Sequence, residues 1–197
     1  MKDSTRFALL LAILLLPSAL FADSFTINFD GLSDSDPVTT QFPSLTFSNA
    51  TVLTAGISLN EFEFPPFSGS NVVFDAGGPI FIGFLNPIDS FGGYFTYSQA
   101  LTLQAFDAGN NLLGSSTSLL GSNLALSGDP GSSPNEFLQL SFAGISSVRI
   151  SGDSLGGSFT ADNVTYTTPV AAVPEPSSIY LLLSGMGGLL LFRRKNL

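Results

Sequence analysis

Carboxylates carry nearly all of the acid–base chemistry open to this 197-residue sequence, which contains no histidine and no cysteine. Ser-His-Asp and Cys-His arrangements both need an imidazole base, so neither is available. A zinc site built from Cys and His is excluded on the same ground. Glu61 and Glu63 stand two apart, which on an extended backbone puts both on one face. Glycoside hydrolysis uses two carboxyls across a sugar. Two residues along one strand separate by only about 6.5–7 Å and leave no second face for attack. Solvent-facing carboxylates are the plainer reading, with a carboxylate-based glycan hydrolase as a remote alternative. Asp34-Ser35-Asp36 has spacing that suits a metal but lacks the further ligands of an EF-hand loop, and reads as a solvated loop. The sequence reads as non-catalytic.

The elements that must position these side chains are short apolar runs cut by Gly, Pro, Ser, Asn and Asp, the pattern of an all-β domain. The spacing predicts strands over 24–29, 45–47, 51–54, 71–75, 80–84, 88–97, 101–106, 112–117, 136–142, 147–151 and 158–166. Phe106–Gly114 reads as a hairpin turning at Gly109-Asn110-Asn111. So many short strands predict a single antiparallel β-sandwich, jelly-roll-like, over residues 23–172. Nineteen phenylalanines against four tyrosines and no tryptophan point mainly to core packing. In EFEFPPFSG, Pro65 and Pro66 forbid a central strand. Its Phe62, Phe64 and Phe67 read as a loop folded over the sandwich, with a solvent-facing patch as the alternative.

Both ends of the chain look different. Lys2 and Arg6 precede an apolar run from Phe7 to Leu16, Pro17 and a small-residue exit at Ala22, so residues 1–22 read as a secretory signal peptide. At the other end, Pro174-Glu175-Pro176 is a stiff extended triplet, since each proline lacks an amide donor and restricts its predecessor. Fourteen uncharged residues follow, Ile179 to Phe192, equivalent to about 21 Å of helix. Snorkelling by Arg193 and Arg194 extends that span towards a bilayer's thickness. With Lys195 they favour a cytoplasmic C-terminus for the transmembrane helix. This tail, residues 173–197, resembles the PEP-CTERM sorting signal of Gram-negative bacteria. The resemblance implies export across the inner membrane and transient anchoring by the tail. It also implies processing near Pro174-Glu175-Pro176 by an exosortase and release to the cell surface or extracellular matrix.

Thirteen of the fifteen acids but only one of the six basic residues, Arg149, fall within residues 23–172, for a net charge of −12. One cation cannot neutralise a phosphate backbone, which excludes nucleic acid as a partner. The segments TINFDGL, SFGGYF, LQAFDAGNNLLG and FTADNVTY resemble those of galactose-binding-like jelly rolls and of an extracellular β-sandwich recurrent in PEP-CTERM proteins. In calcium-bearing members of that group, acids from the first and last strands meet at one edge. The resemblance therefore nominates Asp30 and Asp162, with Asn163 as a weaker oxygen donor, as a structural calcium site. Calcium takes six to eight oxygens, so these three are a skeleton only. The alternative is that Asp30 caps the turn at Gly31 while Asp162 sits in a β-bulge. No other cofactor is implied. The expected function is that of a structural or binding component of the envelope or exopolysaccharide matrix, with a calcium-supported lectin-like module as the alternative.

Overall fold

The computed structural model describes residues 22–170, and the expected signal peptide, the Pro174-Glu175-Pro176 triplet, the apolar helix and the Arg193-Arg194-Lys195 cluster lie outside these. Residues Ala22–Pro169 make one unit built of antiparallel strands. No helix among the described residues is long and apolar enough to cross a membrane. The strands are β1 (Ser24–Ile27), β2 (Pro37–Val38), β3 (Leu45–Ser48), β4 (Ala50–Thr54), β5 (Asn71–Asp75), β6 (Ile80–Tyr97), β7 (Thr102–Phe106), β8 (Leu112–Thr117), β9 (Glu136–Ser151) and β10 (Phe159–Thr167). The all-β sandwich expected from the sequence is present.

Two pairs of expected strands are fused, and the fusions build the sandwich. β6 runs through residues 80–84 and 88–97, and β9 through 136–142 and 147–151. The β6–β9 pairing loses register between Gly83 and Ile88 and again between Ile88 and Ser90. Pro87 has no amide to donate there, and on β9 Gly144 takes a φ of 83°. Both strands thus change direction at the same level, and each contributes one half to each layer. The first layer runs β2-β4-β5-β10, then the second half of β6 and the first half of β9, with β1 against β10. The second places β3 beside the first half of β6, followed by the second half of β9, β7 and β8.

Alternation then sorts the side chains. Phe91, Phe95 and Tyr97 of β6, Leu138 and Leu140 of β9, and Phe159 and Ala161 of β10 point inward from the first layer. Ile80, Ile82, Leu103, Ala105, Val148 and Ile150 meet them from the second. Phe29 packs edge-on to Phe47 at 6.4 Å and to Phe42 at 5.7 Å, tying the exit of β1 to β3. The expected hairpin turns with Asn110 at φ 62°. Its Asp107 accepts from the amides of Gly109 (2.9 Å) and Asn111 (2.8 Å).

Candidate functional site

The edge of β10 is shared. β5 pairs with Thr160–Ala161 and β1 with Val164–Thr167, and between them the register shifts at a bulge after Asp162. Asn163 sits in that bulge with a φ of 43°. The segment entering β5 fills the gap left where β1 departs. Asp30 follows β1, so three residues remote in sequence converge on Ser68–Asn71. Ser68 N–H donates to Asp162 Oδ2 (2.8 Å), and its hydroxyl donates to Asn163 Oδ1 (3.0 Å). Ser70 and Asn71 N–H both donate to Asp30 Oδ1 (2.9 and 3.1 Å).

Burial pushes the Asp162 carboxyl up, and the nearby charge of Asp30 adds to the rise against the bonds from Ser68 and Asn163. Gly69 lies between them with a φ of 58°, and a Cβ there would stand 2.0 Å from Asp30 Oδ2. The three nominated residues are therefore together, as a clasp on the 68–71 segment. Asp162 is in a bulge, as the alternative reading expected, whereas Asp30 reaches across to Ser70 and Asn71. Among the described residues, no group of three or more Asp or Glu side chains is placed to hold a metal ion. Any calcium would thus depend on two carboxylates, one amide and main-chain carbonyls.

The clasp holds a loop over the outer face of the first layer. Asn135 donates to Pro65 O (3.0 Å), and Phe67 stacks on Tyr94 with ring centroids 3.4 Å apart and planes within 8°. Tyr94 is opposite Asp162 on β10 and opposite Phe137 on β9, so the three share one row across the outer face. The Tyr94 and Phe137 rings are 5.1 Å apart. Phe67 and Phe137 each remain 45% exposed, and Phe62 farther along the loop is 71% exposed. Gly92, the outward residue before Tyr94, would bring a Cβ to 2.9 Å from the Phe137 ring. The glycine in SFGGYF lets that ring lie down on the strand.

The loop of Phe62, Phe64 and Phe67 thus folds over the sandwich yet leaves aromatic surface outside. Tyr94 and Phe137 were missed by the sequence reading. Their signal was the alternation of SFGGYF and EFLQLSF, which puts them opposite the core-facing Phe95 and Leu138.

Of the other carboxylates considered, Glu63, Asp34 and Asp36 have structural partners. Residues 61–63 form a turn, with Glu63 and Phe64 N–H both bonded to Asn60 O (3.1 and 2.9 Å), so the extended geometry considered for Glu61 and Glu63 does not occur. Glu63 Oε2 accepts from Leu126 and Ser127 N–H (3.1 and 3.2 Å), joining the loop to the 122–132 segment. Desolvation is the largest single influence on its carboxyl, but these bonds together outweigh it and hold the group below the usual range. Asp34 accepts from Ser58 Oγ and from Thr54 N–H (2.9 Å), tying the run to the end of β4, while Asp36 accepts from Ser33 N–H (3.0 Å) and closes its own turn. A separate cleft of about 470 Å³ opens at one end of the sandwich among Phe25, Phe42, Phe84, Ile88 and Tyr166, away from the clasp.

Comparison with known proteins decides the tail. Residues 172–195 match the PEP-CTERM protein-sorting motif. That motif implies export, surface association and processing by an exosortase, and it contains the Pro174-Glu175-Pro176 triplet and the Arg193-Arg194-Lys195 cluster nominated from the sequence. No curated protein matches the chain. Among solved structures, the chain is similar to the K1 cleaved adhesin domain of Lys-gingipain from Porphyromonas gingivalis W83, at 12% identity and a TM-score of 0.44, covering 75% of this chain and 99% of that one. A DUF4465 family protein from Bacteroides caccae matches at 10% identity and a TM-score of 0.47, covering 75% and 100%. CBM35 from Paenibacillus barcinonensis matches at 18% identity and a TM-score of 0.38, covering 75% and 99%.

Proposed function

We propose that this is a non-catalytic, exported component of a Gram-negative cell surface or exopolysaccharide matrix, whose sandwich grips glycan on the Phe67–Tyr94–Phe137 strip. The sorting motif supports the delivery half of this reading, with a cleaved signal at 1–22 and a tail that is membrane-anchored until processed. One observation carries the binding half. Phe67, on the loop the clasp holds, stacks over Tyr94 of the sheet face, Tyr94 neighbours Phe137, and Phe67 and Phe137 each stay 45% exposed. The C–H face of a pyranose packs on such rings, and rings already fixed in place lose little side-chain entropy on binding. Titrating neutral hexasaccharides into the full chain in mild detergent tests the reading through quenching of tyrosine emission. Saturable binding that Phe137→Ala weakens by about ten-fold is expected, a hot-spot-sized effect for an anchoring aromatic. Equal binding by Phe137→Ala and Phe67→Ala variants would contradict it.

A second reading adds a calcium ion at Asp30, Asp162 and Asn163, and the convergence of the three on one segment favours it. A ligand well above its dissociation constant must stabilise the fold. Millimolar calcium then raises the melting temperature and Asp162→Asn abolishes the rise. An unchanged melting temperature leaves the three as a clasp alone.

A further inference from the structure

The outer face of the second layer has a different chemistry. Five residues line up in register across it, Ser48 on β3, Phe81 on β6, Arg149 on β9, Gln104 on β7 and Ser115 on β8. Arg149 is the single basic residue in a segment with thirteen acids. Its guanidinium carbon lies 5.6 Å from the centroid of the Phe81 ring. That ring is itself 45% exposed. The Arg149 Nε is buried and has no hydrogen-bond partner among the described residues, and the same holds for Ser151 Oγ two positions along. Thr46 and Ser147 stand on either side of Gly83 in one adjoining row, which continues through Phe106 and Leu112, and Ser151, Thr102 and Thr117 form the adjoining row on the other side. None of these outward positions carries an acid. The one cation of the domain is therefore set on an aromatic ring, amid hydroxyls, with no carboxylate of its own sheet face to neutralise it. From the adjoining row, a mainly apolar trough of about 400 Å³ opens among Phe42, Leu45, Thr46, Gly83, Phe84 and Leu85.

We propose that this face binds a carboxylate-bearing sugar, a uronic acid residue of an acidic polysaccharide. A planar guanidinium matches a carboxylate in a forked pair of hydrogen bonds. The exposed part of the Phe81 ring takes the apolar face of the pyranose, and Ser48, Gln104 and Ser115 meet its hydroxyls. A single cation suits one singly charged group at a time, and the −12 charge of the segment opposes the approach of densely charged polyanions. This site lies on the opposite layer from the Phe67–Tyr94–Phe137 strip and does not rest on it.

The test is calorimetric titration of the full chain in mild detergent with trimers of galacturonate, glucuronate and mannuronate, alongside their neutral methyl esters. Saturable binding of at least one acid trimer, tighter than that of its ester, is expected. Arg149→Gln weakens that binding about ten-fold or more and Arg149→Lys by less, as loss of a forked pair requires. Phe81→Ala weakens it while Phe137→Ala does not, which separates this site from the aromatic strip. No binding of any acid trimer would overturn the proposal. So would equal binding of acid and ester, equal binding by folded Arg149→Gln, or full displacement by inorganic phosphate at equal concentration, the mark of a general anion site.

Discussion

Asp75 and Gly69 show how single residues hold the two ends of β5. Asp75 is fully buried and accepts from Ser158 N–H (2.9 Å), Ser158 Oγ (2.8 Å) and Phe159 N–H (3.1 Å). Asp75→Ala leaves those donors buried and unpaired and is expected to cost about 3 kcal/mol, read by chemical denaturation. Desolvation outweighs these bonds and pushes the Asp75 carboxyl up, as it does for Asp162. A carboxyl raised by folding binds its proton more tightly in the native state, so its contribution is most favourable below the unfolded value and is lost as pH rises through the folded one. Acidification from neutral into the window just below the raised values therefore favours the fold through these two groups. In Asp162→Asn that part of the pH dependence disappears from denaturation curves. An identical pH profile would contradict the burial account. Gly69→Ala meets both a positive φ and the Asp30 carboxylate. It is expected to destabilise by roughly 1–3 kcal/mol and lower the melting temperature.

Among the elements, every strand but the two-residue β2 was legible in the sequence, and the joins were not. Apolar runs cut by turn residues located the strands, with the period of two that an inward and an outward face leave clearest in Phe25-Ile27-Phe29 and Leu101-Leu103-Ala105. The irregular stretches at 84–88 and 142–147 carry no such period, so β6 and β9 were expected as four strands. Only tertiary pairing shows that each continues from one layer into the other. The clasp was legible only through family resemblance, since Asp30 and Asp162 meet through a bulge and a loop entry that local patterning does not encode. The 60–70 loop was recognised by its prolines, but its seat on Tyr94 depends on Gly92 and on Asn135, far along the chain. Glu63 is a measurable part of that seat. Glu63→Ala frees the amides of Leu126 and Ser127, and faster hydrogen exchange at those two positions is expected, with β-strand amides unchanged. Unaltered exchange there would show that the loop is held without Glu63.

For the whole molecule, the sorting motif and the proposed binding surfaces occupy separate stretches of the chain. The sorting motif occupies the tail, and the two candidate glycan surfaces lie on opposite outer faces of the sandwich. Truncation after Ala172 is expected to shift the protein from the cell surface to the medium of the producing bacterium, measured by fractionation and blotting. Continued surface retention would place the anchoring determinant elsewhere in the chain. A protein that holds a neutral segment on one face and an acidic one on the other can join two strands of a matrix, where avidity multiplies two weak contacts.

The exposed aromatic strip is proposed to make this exported sandwich a glycan binder. Its most direct test is calorimetric titration of the purified exopolysaccharide of the producing cells into the full chain and into a folded Phe67→Ala/Phe137→Ala double variant. Saturable heat from the wild-type chain, reduced by about a hundred-fold in affinity in the double variant if two anchors each contribute as hot spots do, is the predicted result. Equal heat and affinity from both proteins would contradict it.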